Sequence, residues 1–142
     1  MTTVNQLLDD KGHDVSFVHP GDTVFDAIKK MADENIGSLA VKEDEKLVGI
    51  ITERHYARNV FLKGRSSPKT SVGDIMSTRI VCARPEHTIE ECMAIMTEKA
   101  VRHLPVLDKK RLIGIVSIGD LVKSIISDQK FIIEQLEHYI SD

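Results

Sequence analysis

Several things are scarce in this sequence, and each scarcity closes off a class of function. There are two cysteines in 142 residues, Cys82 and Cys92, too few for a disulfide framework and in keeping with a reducing, cytoplasmic setting. No apolar run approaches the ~20 residues that cross a bilayer. The opening Met1-Thr2-Thr3-Val4-Asn5-Gln6 lacks the basic start and apolar block of a secretory leader. The formal net charge is −3, so there is no basic surplus to neutralise nucleic-acid phosphates. Enzyme signatures are missing too: there is no Gly-x-Gly-x-x-Gly, no phosphate-loop lysine motif and no Gly-x-Ser-x-Gly, and no Cys-x-x-Cys or His-x-x-x-His pair marks a metal site. These absences lead us to expect no catalysis, no metal, no nucleic acid and no membrane.

The content of the chain is that of a globular protein, 42% hydrophobic and 29% charged. Its length suits one compact body and not two ordinary domains. Its main feature is internal repetition. Leu112-Ile113-Gly114-Ile115-Val116-Ser117 repeats Leu47-Val48-Gly49-Ile50-Ile51-Thr52 at an offset of 65 residues. The register holds without a gap: Pro20 matches Pro85, Thr23 matches Thr88, Met31 matches Met96, Leu39 matches Leu104 and Val41 matches Val106. Each copy is too small to bury its sheet well alone, so the two are expected to share a core.

The local pattern within a copy reads strand, helix, strand, strand, helix. Val15 to Val18 is a short strand. From Thr23 to Asn35 the apolar Val24, Ala27, Ile28 and Met31 recur at helical spacing. Ser38 to Lys42 and Leu47 to Ile51 form a hairpin with the charged tip Glu43-Asp44-Glu45-Lys46, and a helix follows from Glu53 to about Leu62. The spacing predicts an N-terminal helix over 1–14, capped by Thr3, without a partner in the repeat and covering an exposed end of the fold. It divides the rest into a first motif over 15–63, a linker over 64–79 with one or two helical turns from Ser71 to Met76, a second motif over 80–127 and a C-terminal helix over 128–142. That last helix is amphipathic through Phe131, Ile132, Leu136, Tyr139 and Ile140, and its apolar face requires either the body of the fold or a second subunit.

Ser117 and Asp120 stand at a strand-to-helix junction, where free N–H groups and the helix dipole favour an anion. Ser-x-x-acid is also a capping box, which explains both residues without a ligand. On the functional reading Asp120 accepts hydrogen bonds from two vicinal sugar hydroxyls, while the Ser117 hydroxyl faces a phosphate. His55 takes the place of the acid in the first copy, and Thr52 keeps the hydroxyl. A neutral imidazole cannot accept twice, so the first site is expected to bind weakly, take another ligand or stay empty. Arg54 and Arg58, four apart on one helix, suit either a phosphate or a solvated basic face. His103 has the same two readings, ligand contact or a satisfied histidine. Cys92 falls on the core face of the helix carrying Ile89, Met93 and Met96, and reads as packing.

Taken together, Pro20 and Pro85, Gly37-Ser38-Leu39-Ala40-Val41, Arg102-His103-Leu104-Pro105-Val106 and the two Leu-x-Gly-Ile-x-[Thr/Ser] strands resemble a tandem pair of cystathionine-β-synthase (CBS) domains, from Val15 to about Ser127. The resemblance implies an α/β (α+β) fold of two pseudo-symmetric β-α-β-β-α motifs packed through their sheets, with clefts that take adenosine nucleotides. It places Asp120 on a ribose and Ser117 near sugar or phosphate. Backbone groups around Thr78, Ile80 and Val81, with Arg102, His103, Leu104 and Pro105, would hold the adenine. It also implies flat dimeric discs. The resulting expectation is a stand-alone, non-catalytic, homodimeric sensor that binds AMP, ATP or NAD and acts on a separate partner protein. The alternatives are a ligand-free dimerisation scaffold and an enzyme acting on nucleotides.

Overall fold

The computed structural model describes the backbone of residues 1–141 and the side chains of residues 1–138. It divides into two compact units. One is Asp14–Val81, and the other joins Met1–His13 to the chain from Cys82 onward.

The first-copy unit holds β1 (Phe17–Val18), α2 (Val24–Glu34), β2 (Ser38–Glu43), β3 (Lys46–Thr52), α3 (Glu53–Tyr56) and α4 (Val72–Ile75). Its three strands lie in the order β1-β2-β3, β1 parallel to β2 and β2 antiparallel to β3. Val24, Ala27 and Met31 turn the apolar stripe of α2 inward, where they join Leu39, Val41, Ile51, Val60, Val72 and Ile75 in the core. α3 runs into a π-helical turn at Ala57–Phe61, closed by Leu62 N–H donating to Ala57 O.

The second-copy unit repeats this plan with α5 (Ile89–Lys99), β4 (His103–Asp108), β5 (Arg111–Ser117) and α6 (Ile118–Ser141). Its core comprises Val4, Leu8, Ala83, Ile89, Cys92, Met96, Leu104, Val106, Val116 and Leu121. The repetition extends to irregular features. Left-handed residues end the equivalent helices at Asn35 and Ala100, hairpin tips carry paired positive φ at Asp44-Glu45 and Lys109-Lys110, and the ladders slip at Val41/Lys42 and Val106/Leu107.

The opening strand of the second copy is reduced to a bridge at Ala83, parallel to Val106. In the first copy Ala40 donates its N–H to Ser16 O. The residue matching Ala40 is Pro105, which has no N–H to give, so that rung of the ladder cannot form. The C-terminal helix is not a separate element after residue 127 but continues α6 without a break. The side chains of Tyr139 and Ile140 lie outside the described residues.

The N-terminal helix α1 (Val4–Lys11) has a partner in the repeat, contrary to the expectation from sequence. Thr2-Thr3-Val4-Asn5-Gln6-Leu7-Leu8 corresponds to Thr70-Ser71-Val72-Gly73-Asp74-Ile75-Met76 at an offset of 68 residues, and the two segments dock alike on opposite copies. Ile89 N–H donates to Thr2 O, Val4 N–H to His87 O and Asn5 N–H to Pro85 O. The matching bonds run from Val24 N–H to Thr70 O, Val72 N–H to Asp22 O and Gly73 N–H to Pro20 O. The two copies have thus exchanged their leading helices. Each exchanged segment ends on a conserved-in-repeat glycine: a Cβ on Gly114 would lie 2.6 Å from Leu8 Cδ2, and one on Gly49 would lie 2.6 Å from Met76 Sδ. The bare strand surface at these glycines is what admits the exchanged side chains.

Candidate functional site

In the second-copy unit the end of β5 and the start of α6 bring Ser117 and Asp120 beside the start of β4. His103 pairs with Ser117 across the ladder, and Ile118 N–H donates to Arg102 O at 2.9 Å. Ser117 and Asp120 form a reciprocal cap: Ser117 N–H donates to Asp120 Oδ2 at 2.8 Å, and Asp120 N–H to Ser117 Oγ at 3.1 Å. Lys11, from α1, donates its ammonium to the same Oδ2 at 2.6 Å and to Ile115 O at 2.7 Å. Asp120 Oδ1 has no hydrogen-bond partner among the described residues. Burial would raise the Asp120 carboxyl, but the Lys11 ammonium and the Ser117 N–H outweigh it and hold the group below its ordinary value. The site is therefore an ionised acid with one oxygen tied down and one open. Its side chain is 20% exposed and lines a groove of about 380 Å³ together with Asp10, Lys11, Lys123 and Ser124. Leu104 and Pro105 are buried, so of that segment only exposed Arg102 and half-buried His103 present side chains at the surface.

In the first-copy unit the same junction is built differently. Thr52 Oγ1 accepts from His55 N–H, and Thr52 N–H donates to His55 Nδ1, both at 3.1 Å. His55 thus replaces the acid in the cap, with its acceptor nitrogen already used. Burial, and secondarily the Arg54 charge, pushes its pKa down, so the ring is neutral near pH 7 with Nε2 as its donor. By the 68-residue offset Arg79 corresponds to Lys11, but it lies beyond the end of α4. Arg54 lines a groove of about 600 Å³ with Asn35, Gly37, Glu53 and Tyr56, on the helix side of the unit; Arg58, in the π turn, is not among its lining residues. Thr78 is exposed, and Ile80 and Val81 are half-buried in the segment that ends this unit.

A protein-family model, the CBS domain, matches residues 11–61 and again 72–127. The chain belongs to the CBS domain family. It is 38% identical to the mitochondrial CBS domain-containing protein CBSX3 of Arabidopsis thaliana, over 98% of this chain and 72% of that one. Among solved structures it resembles the CBS domain protein NE2398, with a TM-score of 0.85, 50% identity, and coverage of 88% of this chain and 98% of that one. It also shares its fold with the CBS domain pair of protein MJ0100, solved in complex with 5′-methylthioadenosine and S-adenosyl-L-methionine. That match has a TM-score of 0.79 at 23% identity and covers 90% of this chain and 98% of that one.

The contact that sequence reasoning missed is Lys11 to Asp120. It joins residues far apart in the chain, and the 65-residue register gives α1 no place on the second CBS motif. Aligning Thr2–Leu8 with Thr70–Met76 would have placed α1 there, with Lys11 at the end of it. Among the described residues no three His, Cys, Asp or Glu side chains gather where they could hold a metal ion. The Cys92 thiol is buried and pushed up to about 11 by that burial and by Glu91, so it is inert packing. No helix among the described residues is long and apolar enough to cross a membrane.

Two titrations check this electrostatic account. In Lys11→Met the Asp120 carboxyl is expected to titrate higher than in wild type, because burial then acts with less opposition; carboxyl-carbon NMR reads this directly. For His55 the folded pKa lies below the unfolded one. Its contribution to stability is therefore present above the ordinary value of about 6.5 and is lost as pH falls through the lowered folded value. Asn at this position can accept from Thr52 N–H at any pH. The wild-type melting temperature should accordingly fall more steeply than that of His55→Asn below about pH 6.

Proposed function

We propose that this CBS protein is a non-catalytic regulatory module that binds an adenine nucleotide, AMP, ATP or NAD, at Asp120. On this reading it acts on a separate partner protein in the cytoplasm and self-associates as a homodimer. The observation that carries the reading is the state of Asp120: an ionised carboxylate at a helix N-terminus, with Oδ1 unpartnered among the described residues and a groove beside it. One carboxylate oxygen has two lone pairs, enough to accept from both hydroxyls of a ribose. The Lys11 ammonium uses two of its three donors on Ile115 O and Asp120 Oδ2, which leaves the third for a phosphate oxygen. A groove of about 380 Å³ is within the usual range for small-molecule sites, about 300–1,000 Å³. The adenosine-bearing ligands of the MJ0100 pair support the ligand class.

The His55 cap predicts one nucleotide per chain and not two. Native mass spectrometry of the purified protein is expected to show that stoichiometry, with ATP and NAD recovered intact after prolonged incubation; their hydrolysis would overturn the non-catalytic assignment. The reciprocal cap and the Lys11 ion pair favour a second reading, a ligand-free scaffold, because together they account for Ser117 and Asp120 structurally. That reading predicts no saturable binding of any of these nucleotides.

A further inference from the structure

Among the described residues, the second half of α6 is exposed. Leu121 is buried and Ile125 half-buried against the second CBS motif, but every residue from Ile126 to His138 is exposed. Helices without tertiary packing are marginal in water below about 12–15 residues, so a segment of this kind needs a packed face. The exposed residues supply one. Val122, Ile126, Gln129, Ile133 and Leu136 follow one another at spacings of four, three, four and three, the heptad stripe of a helix pair. Val122 is 41% exposed, and Ile126, Ile133 and Leu136 are all more than half exposed. One edge of the stripe carries Lys123, Lys130 and Glu137, and the other carries Ile125 and Ile132.

We propose that α6 pairs antiparallel with α6 of a second copy along this stripe. The flanks decide both the partner and its direction. In an antiparallel pair each edge meets its own counterpart: Lys123 faces Glu137 of the other copy twice over, Ile132 faces the other Ile132, and the single like-charge contact, Lys130 against the other Lys130, is outnumbered by the two opposite-charge ones. A parallel pair would set the apolar edge against the charged one and lose both matches. Antiparallel pairing also places Ile126 opposite Leu136 and Ile133 opposite Gln129, with the two Gln129 amides in adjoining layers. Phe131 lies by register on the outer side of the pair. This inference deepens the self-association included in the proposed function by naming the surface that carries it.

Sedimentation equilibrium on the full chain tests it. Wild type is expected to be a dimer, and Ile133→Glu a monomer with unchanged near-ultraviolet circular dichroism, since Ile133 is exposed in the isolated chain. Lys123→Glu is expected to weaken the dimer about tenfold, and adding Glu137→Lys to restore it, because the exchanged charges again face each other. A dimer that ignores Ile133→Glu, or a double variant that stays weak, overturns this surface while leaving self-association standing. A monomeric wild type overturns both.

Discussion

Asp120→Asn is expected to reduce adenine-nucleotide affinity by at least about a hundredfold while leaving the fold in place. The two effects separate because the two carboxylate oxygens do different work. Oδ2 takes the Ser117 N–H and the Lys11 ammonium, and an Asn carbonyl oxygen can still accept there. The other position becomes an amide NH2, which cannot accept from a sugar hydroxyl. Two hydrogen bonds to a charged acceptor are worth about 3–6 kcal/mol together, and each 1.4 kcal/mol is about a factor of ten. The stability cost is confined to the ion pair with Lys11, whose side chain is 42% exposed; for such solvent-screened pairs about 1 kcal/mol or less is expected. Thermal melting and calorimetric titration on the same sample read both quantities. A variant that binds as tightly as wild type would remove Asp120 from the site, and one that fails to fold would make the residue chiefly structural.

Leu8→Ala is expected to be the most destabilising single truncation in α1, at about 3 kcal/mol and on the order of 10 °C in Tm. Leu8 is fully buried, and its side chain lies over Gly114, where a Cβ would come within 2.6 Å of Cδ2. The strand surface beneath it is rigid ladder backbone and cannot collapse to fill the space. The truncation also loosens α1, which carries Lys11 to Asp120. Leu8→Ala is therefore expected to raise the Asp120 carboxyl as Lys11→Met does. A loss of less than about 1 kcal/mol would mean that α1 contributes little to its unit.

The parts of this fold that the sequence declares are those set by local pattern and by the 65-residue register: the stripe of α2, the two hairpins and their charged tips, and the Ser117-x-x-Asp120 cap. What it conceals has identifiable physical causes. The exchange of α1 and α4 is hidden because α1 is eight residues long and α4 four, so the stretch from Val4 to Val18 is three residues longer than that from Val72 to Ala83, which moves their offset to 68 and out of register with everything else. The loss of the second copy's first strand was readable in principle, since it follows from the missing N–H of Pro105, but only once its match to the bonded Ala40 is noticed. The Lys11 to Asp120 pair leaves no local trace at all, because Lys11 is one exposed lysine in a chain with many and its partner is set by the docking of a helix. The π turn at Ala57–Phe61 likewise breaks a pattern that reads as uninterrupted helix from Glu53. The candidate site was therefore legible as a pair of side chains at a helix start, and illegible as an electrostatic arrangement.

The central claim is that Asp120, held by Lys11 and Ser117, receives the sugar of an adenine nucleotide. Calorimetric titration of the wild-type chain with AMP, ATP and NAD tests it most directly. The account predicts saturable binding of at least one of them, near one ligand per chain, lost in Asp120→Asn. Absence of saturable heat for all three, or binding that Asp120→Asn leaves untouched, would contradict it.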